Sequence, residues 1–242
     1  MSLSVEEKQS LGVALNEARL LGVELDPERR LAAATLAVHT LPETGPGPPD
    51  SRVQLLFSPV GRLAASLRRG AWNDPAAEVE TFSLDQLLGI VQSCRGPVYG
   101  WEFFDLHDEQ LRRWGDRLSL DFRAGDDGLS HSILLFQEFD TPQRHLDLLI
   151  WFDRLEVRDP ADRPLTLAEF AAGGKRWWDG LYAGDPRTAG AGIMPLNTTT
   201  HGGLSSQEGT PSMGGGFIYR SADSGEAQAS AVTPSSEATD DP

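Results

Sequence analysis

The side chains best suited to chemistry lie on two neighbouring segments, HSILLFQEF and RHLDLLIWFDRLEV, whose composition predicts two paired strands. If a loop of two or four residues joins these strands, Glu138 lies opposite His145 and Phe136 lies opposite Asp147. Directly opposed side chains are about 5 Å apart on one face of a sheet. We therefore expect Glu138, His145 and Asp147 to cluster near the turn.

This cluster has two interpretations. One imidazole and two carboxylates can ligate a divalent metal, or the imidazole can act as a general base that a carboxylate orients. The alternative is a polar rim beside a turn, in which His145 bridges Glu138 and Asp147 for structural reasons.

The segment PVYGWEFFD, residues 97–105, adds a fourth candidate for catalysis. Its aromatic residues favour a strand. In such a strand, Glu102 lies between Val98 and Phe104 on an otherwise apolar face. Because a buried carboxylate needs a partner or a raised pKa, Glu102 is expected to be either a functional acid or the structural partner of an Arg or His.

The segment GKRWWDG predicts a partner-binding site at Arg176, Trp177 and Trp178. Neighbouring positions on a helix diverge, so the two rings are not expected to face one core. We expect one ring to pack on the sheet and the other to cover a loop or be partly exposed. Exposed Trp beside Arg is typical of binding hot spots, and packing of both rings is the alternative.

The motifs of several enzyme classes are absent from the sequence. It contains no H-E-x-x-H, C-x-x-C or G-x-S-x-G motif and no P-loop. The single cysteine, Cys94, excludes an intrachain disulfide and indicates a reducing compartment. We expect Cys94 to be a buried, unreactive thiol.

The net charge of the chain is −15. Such a surface repels phosphate backbones, which argues against nucleic-acid binding and favours a basic or neutral protein partner. Apolar runs such as LLIWF are far shorter than the roughly 20 residues that span a bilayer. The first residues lack the pattern of a signal peptide. We therefore expect a bacterial cytoplasmic protein that does not enter membranes.

Two helices are predicted at the start of the chain. Ser4 and Glu7 have the spacing of a capping box, which predicts a first helix. Asp26 and Pro27, followed by an alanine- and leucine-rich run, predict a second. Residues 1–41 are therefore expected to form a helical hairpin, which the Pro/Gly-rich residues 42–51 separate as a linker from the rest.

Residues 52–183 are expected to form an α+β core domain, with a mainly antiparallel sheet of five or six strands and flanking helices. RVQLLFS and RLAASLR predict two strands joined by a turn, and RLSLDF predicts another. A helix is the alternative for RLAASLR, because leucine and alanine favour helices. FSLDQLLGIVQSC and LTLAEFAAGGKRWWDGLY predict helices that begin with capping boxes. Gly173 and Gly174 weaken the middle of the last helix.

Residues 184–242 are rich in Gly, Ser and Thr and are acidic, and few of them are large and apolar. This composition predicts a disordered tail, because too little apolar surface is available to offset the entropy of ordering.

The expected function is a non-enzymatic, acidic protein-binding module, such as a regulator, an adaptor or an immunity-type protein, without a cofactor. One alternative is a metal-assisted hydrolase that uses a divalent metal at Glu138, His145 and Asp147. The other is a small-molecule-binding domain with an apolar pocket lined by Trp101 and Trp151.

Overall fold

The computed structural model of the chain describes residues 3–70, 74, 76–100, 102–106, 115–125, 129–140, 143–191, 193–194 and 218–219. Its helices are α1 (Val5–Leu15), α2 (Leu87–Ser93) and α3 (Leu167–Ala183). Its strands are β1 (Arg19–Asp26), β2 (Leu31–Ala37), β3 (Arg52–Arg69), β4 (Glu78–Val79), β5 (Leu120–Arg123), β6 (His131–Asp140), β7 (Gln143–Arg158), β8 (Pro164–Leu165), β9 (Ile193–Met194) and β10 (Ile218–Tyr219).

Strands β1 to β8 form one antiparallel sheet in the order β1-β2-β3-β7-β6, with β4 and β5 paired to β3 and β8 paired to β7. The predicted α+β class and the mainly antiparallel sheet are therefore confirmed, with more strands than expected. Residues Met1–Thr188 form one compact unit, and Ala189–Pro242 form a second. In the second unit, β9 and β10 pair as a separate two-stranded sheet.

The centre of the sheet is built from two long strands, β3 with 18 residues and β7 with 16. The sequence predicts a turn within β3 near Pro59, and this prediction is wrong. Both halves of β3 pair with β7, and the register shifts between Val60 and Arg62. A bulge of this kind adds a residue to one strand and bends it without ending it.

The predicted helical hairpin over residues 1–41 is only half right. The α1 helix forms, and its capping box between Ser4 and Glu7 is present. Residues 19–37, however, form the β1–β2 hairpin instead of a second helix. The side chains of β2 alternate between buried and half-buried positions, and β2 pairs along its length with β3. This tertiary pairing overrides the helix propensity of its alanines and leucines.

Residues 42–51 therefore connect two neighbouring strands of one sheet, β2 and β3, and the prediction that they separate two domains is wrong. The hydrophobic core also includes α1, because Leu11 is 1% exposed and Leu15 is 0% exposed. This core covers one face of the sheet, and its members include Leu63, Leu67, Leu87, Val91, Leu135, Leu148 and Ile150.

The α3 helix begins with the predicted capping box between Thr166 and Glu169 and continues through both of its central glycines. A Cβ atom on Gly174 would lie 2.5 Å from the Cα atom of Ala14 in α1. Glycine at this position therefore allows α1 and α3 to approach closely, and the packing compensates for its low helix propensity.

The described residues of the segment 97–105, which exclude Trp101, do not form the predicted strand. They contact β6 through two isolated bridges, Val98 with Gln137 and Phe104 with Ile133. The bridges are six positions apart along this segment (104 − 98) and four apart along β6 (137 − 133), so two residues bulge out between them. Gly100, with a φ of 127°, lies in the bulge. The segment covers the exposed edge of β6, which would otherwise be open to pairing with other chains.

Candidate functional site

The predicted register of the β6–β7 hairpin is confirmed. Glu138 pairs with His145 and Phe136 pairs with Asp147. The pairing of β3 with β7 adds Arg68 to the same face, opposite His145. The position of Arg68 could not be predicted from the sequence, because this contact depends on the register of two strands that are far apart in the chain.

Asp147 forms an ion pair with Arg68. The two side chains are only 4% and 1% exposed. Burial acts to raise the pKa of Asp147, and the charge and hydrogen bond of the nearby Arg68 guanidinium act to lower it. A buried ion pair of this kind is typical of structural sites, because each charge compensates the other.

His145 is also buried, with 1% of its surface exposed. Burial and, to a smaller extent, the positive charge of Arg68 lower its pKa to about 4. The ring is therefore neutral at pH 7. Within the described residues, its Nε2 atom has no hydrogen-bond partner.

The predicted trio therefore shares one face, and the carboxylate of Asp147 pairs with Arg68. No group of three His, Cys, Asp or Glu side chains in the described ranges is arranged to hold a metal ion. The ion pair with Arg68 favours a structural role for Asp147. The predicted bridge through His145 is not formed among the described residues, because the Nε2 atom of His145 has no partner there.

Glu102 is exposed, and the expectation that it is a buried carboxylate is wrong. The bulge in residues 97–105 changes the alternation that a regular strand would impose. Phe103 and Phe104, which are neighbours in sequence, are both buried, at 1% and 7% exposure. Glu102 consequently faces solvent and needs no buried partner.

A second polar cluster, which the sequence did not reveal, surrounds Asp105. Its carboxylate accepts hydrogen bonds from the Nδ1 atom of His131 (2.8 Å), the amide of Ser132 (2.8 Å) and the Nζ atom of Lys8 (3.0 Å). Burial raises the pKa of Asp105, but the three donors outweigh this effect and hold it below its usual value. The φ angle of Asp105 is 52°, a strained value that these contacts hold in place.

The Asp105–His131 pair resembles the carboxylate–imidazole half of a catalytic triad, but its imidazole is occupied. The Nε2 atom of His131 accepts a hydrogen bond from the amide of Leu3 at 2.9 Å, so Nδ1 donates to Asp105. His131 is 4% exposed. The cluster attaches the start of α1 to β6, and no described atom of the imidazole is left to accept a substrate proton.

The rings of Trp177 and Trp178 are both buried, at 4% and 3% exposure, so neither ring is partly exposed. The alternative that one ring covers a loop agrees with Trp177, which stacks on His39 in the loop after β2. The α3 helix packs against both the loop after β2 and the α1 helix. Trp177 stacks on His39 beyond the end of β2 at 4.3 Å, and Trp178 donates to the carbonyl of Val13 in α1 at 3.0 Å. Arg176 donates to the carbonyl of Leu41 at 2.9 Å. These contacts support packing as the role of the three residues.

A groove of about 510 Å³ lies between α1 and α3. Its apolar lining is mostly buried or half-buried, and its polar lining is mostly exposed at the margin. The apolar lining residues are Leu11, Val13, Leu167, Ala168, Ala171 and Ala172, and the polar ones are Ser4, Glu6, Glu7, Gln9, Ser10 and Lys175. We call this the α1–α3 groove.

The apolar pocket predicted around Trp101 and Trp151 is not supported by described contacts. Trp101 lies outside the described residues. Trp151 is half-buried, and the guanidinium of Arg62 lies 4.8 Å from the centre of its ring.

No helix in the described ranges is both long and apolar enough to cross a membrane. No family model, curated protein or solved structure is similar enough to this chain to match it.

Proposed function

We propose that this protein is a non-enzymatic protein-binding module that holds an apolar segment of another protein in the α1–α3 groove. The observation that carries the proposal is the groove itself, about 510 Å³ in volume, with an apolar lining and a polar margin. Concave apolar surfaces with a few polar groups at their edge are the usual form of binding sites.

The walls of the groove are held in place before any partner binds. Both helices begin with complete capping boxes. The close approach of Gly174 to Ala14 and the hydrogen bond from Trp178 to Val13 fix α3 against α1. A preformed site favours binding, because little conformational entropy is lost when the partner docks.

The state of the reactive side chains supports binding over catalysis. Burial raises the pKa of the Cys94 thiol to about 12, so this thiol stays protonated and is a poor nucleophile. Asp147 is paired with Arg68, and the Nε2 atom of His131 is occupied by an amide. The proposal includes a cytoplasmic location, supported by the single cysteine, and exclusion of nucleic acid, supported by the net charge of −15.

A photo-crosslinking amino acid at Gln9, which lines the groove, tests the proposal in cells that make the protein. Glu28, an exposed residue outside the groove lining, is the control position. We expect a discrete adduct with another protein from position 9 and none from position 28. The adduct should be lost in the double variant Ala168→Gln/Ala172→Gln, which places uncharged polar side chains in the groove. Equal labelling from both positions, or no adduct from position 9, would contradict the proposal.

A further inference from the structure

We infer that the segment held in the α1–α3 groove is a basic amphipathic helix. This inference rests on the proposed function and specifies the chemistry of the partner. It follows from the charge at the margin of the groove and from the kind of backbone that forms its walls.

The margin of the groove is acidic. Glu6 and Glu7 are exposed and lie in the first turn of α1. Hydrogen bonds from the backbone and side chain of Ser4 lower the pKa of Glu7, which keeps it ionised at neutral pH. The cation in the lining, Lys175, is paired with Asp179 at 2.6 Å. The margin therefore presents negative charge to an approaching partner, and the net charge of −15 has the same sign.

The walls of the groove favour a helix over an extended segment. Both walls are helices, whose central N–H and C=O groups already bond within the helix. An extended peptide in this groove would bury its own backbone groups without partners, at a cost comparable to lost hydrogen bonds. A helix satisfies its backbone internally and buries only its apolar face, which is the usual form of helix-in-groove recognition. A second copy of this chain fits poorly, because it would bring further negative charge to an acidic margin.

The test uses the full chain and two designed helical peptides of about 18 residues, a length at which helices form readily. The peptides share one leucine-rich face, and their polar faces carry either lysine and arginine or glutamate. Fluorescence anisotropy measures binding at low and high salt. We expect the basic peptide to bind at least about tenfold more tightly than the acidic one, and to weaken as salt screens the charges.

Two matched double variants show whether the margin is responsible. Glu6→Gln/Glu7→Gln removes two charges, and glutamine at position 7 can still complete the capping box. Glu24→Gln/Glu28→Gln makes the same change in net charge at exposed positions outside the groove lining. We expect the first variant to weaken binding of the basic peptide about fivefold or more, and the second to change it less than about twofold.

The outcomes separate this inference from the proposed function. Equal binding of both peptides, abolished by Ala168→Gln/Ala172→Gln, would overturn the basic partner and leave the groove as a binding site. Equal weakening by both glutamate variants would overturn the inference, because it would show that the overall charge drives binding. Binding of neither peptide would also overturn the inference of a basic helical partner. The proposed function would then be tested only by whether crosslinked adducts form from position 9.

Discussion

At the residue scale, the buried Arg68–Asp147 ion pair has a large expected effect on the stability of the sheet. We predict that Asp147→Asn lowers the free energy of unfolding by about 3–5 kcal/mol, because it leaves the charge of Arg68 buried without its carboxylate. Urea denaturation followed by circular dichroism measures the change. The double variant Arg68→Met/Asp147→Leu should recover most of the loss, since two apolar side chains remove both charges.

A surface ion pair serves as the control for this prediction. Asp121 pairs with Arg62 at 2.6 Å, and both side chains are partly exposed. Asp121→Asn should cost no more than about 1 kcal/mol, since solvent screens such pairs. A similar loss in Asp121→Asn and Asp147→Asn would show that burial does not set the cost.

Glu17 gives the protein a specific pH dependence of stability. It is 4% exposed, and its Oε2 atom has no partner among the residues that the structure describes. Burial raises its pKa from 4.5 to about 7. The folded state therefore holds a proton that the unfolded state loses, so the contribution of Glu17 to stability falls as the pH rises from about 4.5 to about 7.

We predict that Glu17→Gln removes this loss. The variant should gain stability over the native chain by about 2–3 kcal/mol between pH 4.5 and pH 7.5, measured by urea denaturation across that range. His39 and His145, whose pKa values burial lowers to about 4, act in the opposite direction and destabilise the fold as the pH falls from 6.5 to 4. Both histidines are present in the native chain and in the variant, so the difference between their free energies of unfolding reports the effect of Glu17. A difference that does not change with pH would contradict the prediction.

At the scale of the elements, the contact between α1 and α3 depends on one glycine. We predict that Gly174→Ala lowers the free energy of unfolding by about 1–3 kcal/mol, because the added methyl group forces two packed helices apart. It would lie 2.5 Å from the Cα atom and 2.6 Å from the Cβ atom of Ala14. Thermal denaturation measures the change, and weaker peptide binding should accompany it.

Gly89 in α2 is the matched control, because a Cβ atom there would meet nothing within 4 Å. Gly89→Ala should be neutral or stabilise the protein by up to about 1 kcal/mol through helix propensity alone. If both substitutions stabilise the protein, the close approach of α1 and α3 is not limiting.

Local sequence patterns predicted those elements that local interactions determine. The three capping boxes, which start with Ser4, Ser83 and Thr166, are all present. The alternation along β6 and β7 gave the correct pairing of Glu138 with His145. The β1–β2 hairpin was missed because alanine and leucine favour a helix locally, and the competing contact with β3 involves residues about 20 positions away.

For the candidate sites too, the sequence predicted local contacts and missed those between distant parts of the chain. The face shared by Glu138, His145 and Asp147 could be predicted from one hairpin, but the position of Arg68, 79 residues from Asp147, could not. Glu102 was misplaced because a bulge breaks the alternation, and no local pattern shows its position. The α1–α3 groove joins residues about 160 positions apart, so only the tertiary structure reveals it.

At the scale of the whole molecule, the two helices that form the groove come from opposite ends of the compact unit Met1–Thr188. The α1 helix supplies core residues as well as one wall of the groove. Binding and folding therefore depend on the same helix, and a partner that binds the groove should also stabilise the fold by mass action.

Two truncations test this organisation. Deleting residues 1–18 removes Leu11, Ala14 and Leu15, which are at most 1% exposed. Each buried leucine is worth about 2–5 kcal/mol, so the loss is comparable to the stability of a whole domain. We predict that this chain shows no cooperative thermal transition in circular dichroism.

A chain that ends at Thr188 should behave in the opposite way. The main core cluster extends only to Phe170, and every residue that lines the groove lies between Ser4 and Lys175. We predict that its thermal midpoint stays within about 2 °C of that of the full chain, a change worth roughly 1 kcal/mol or less for a domain of this size. Its affinity for the basic peptide should also be unchanged.

Either truncation can contradict this organisation. If the chain without residues 1–18 folds cooperatively, the first helix is not needed for the fold of the remaining residues, as the sequence alone suggests. Loss of binding without residues 189–242 would instead place part of the recognition surface in the second unit.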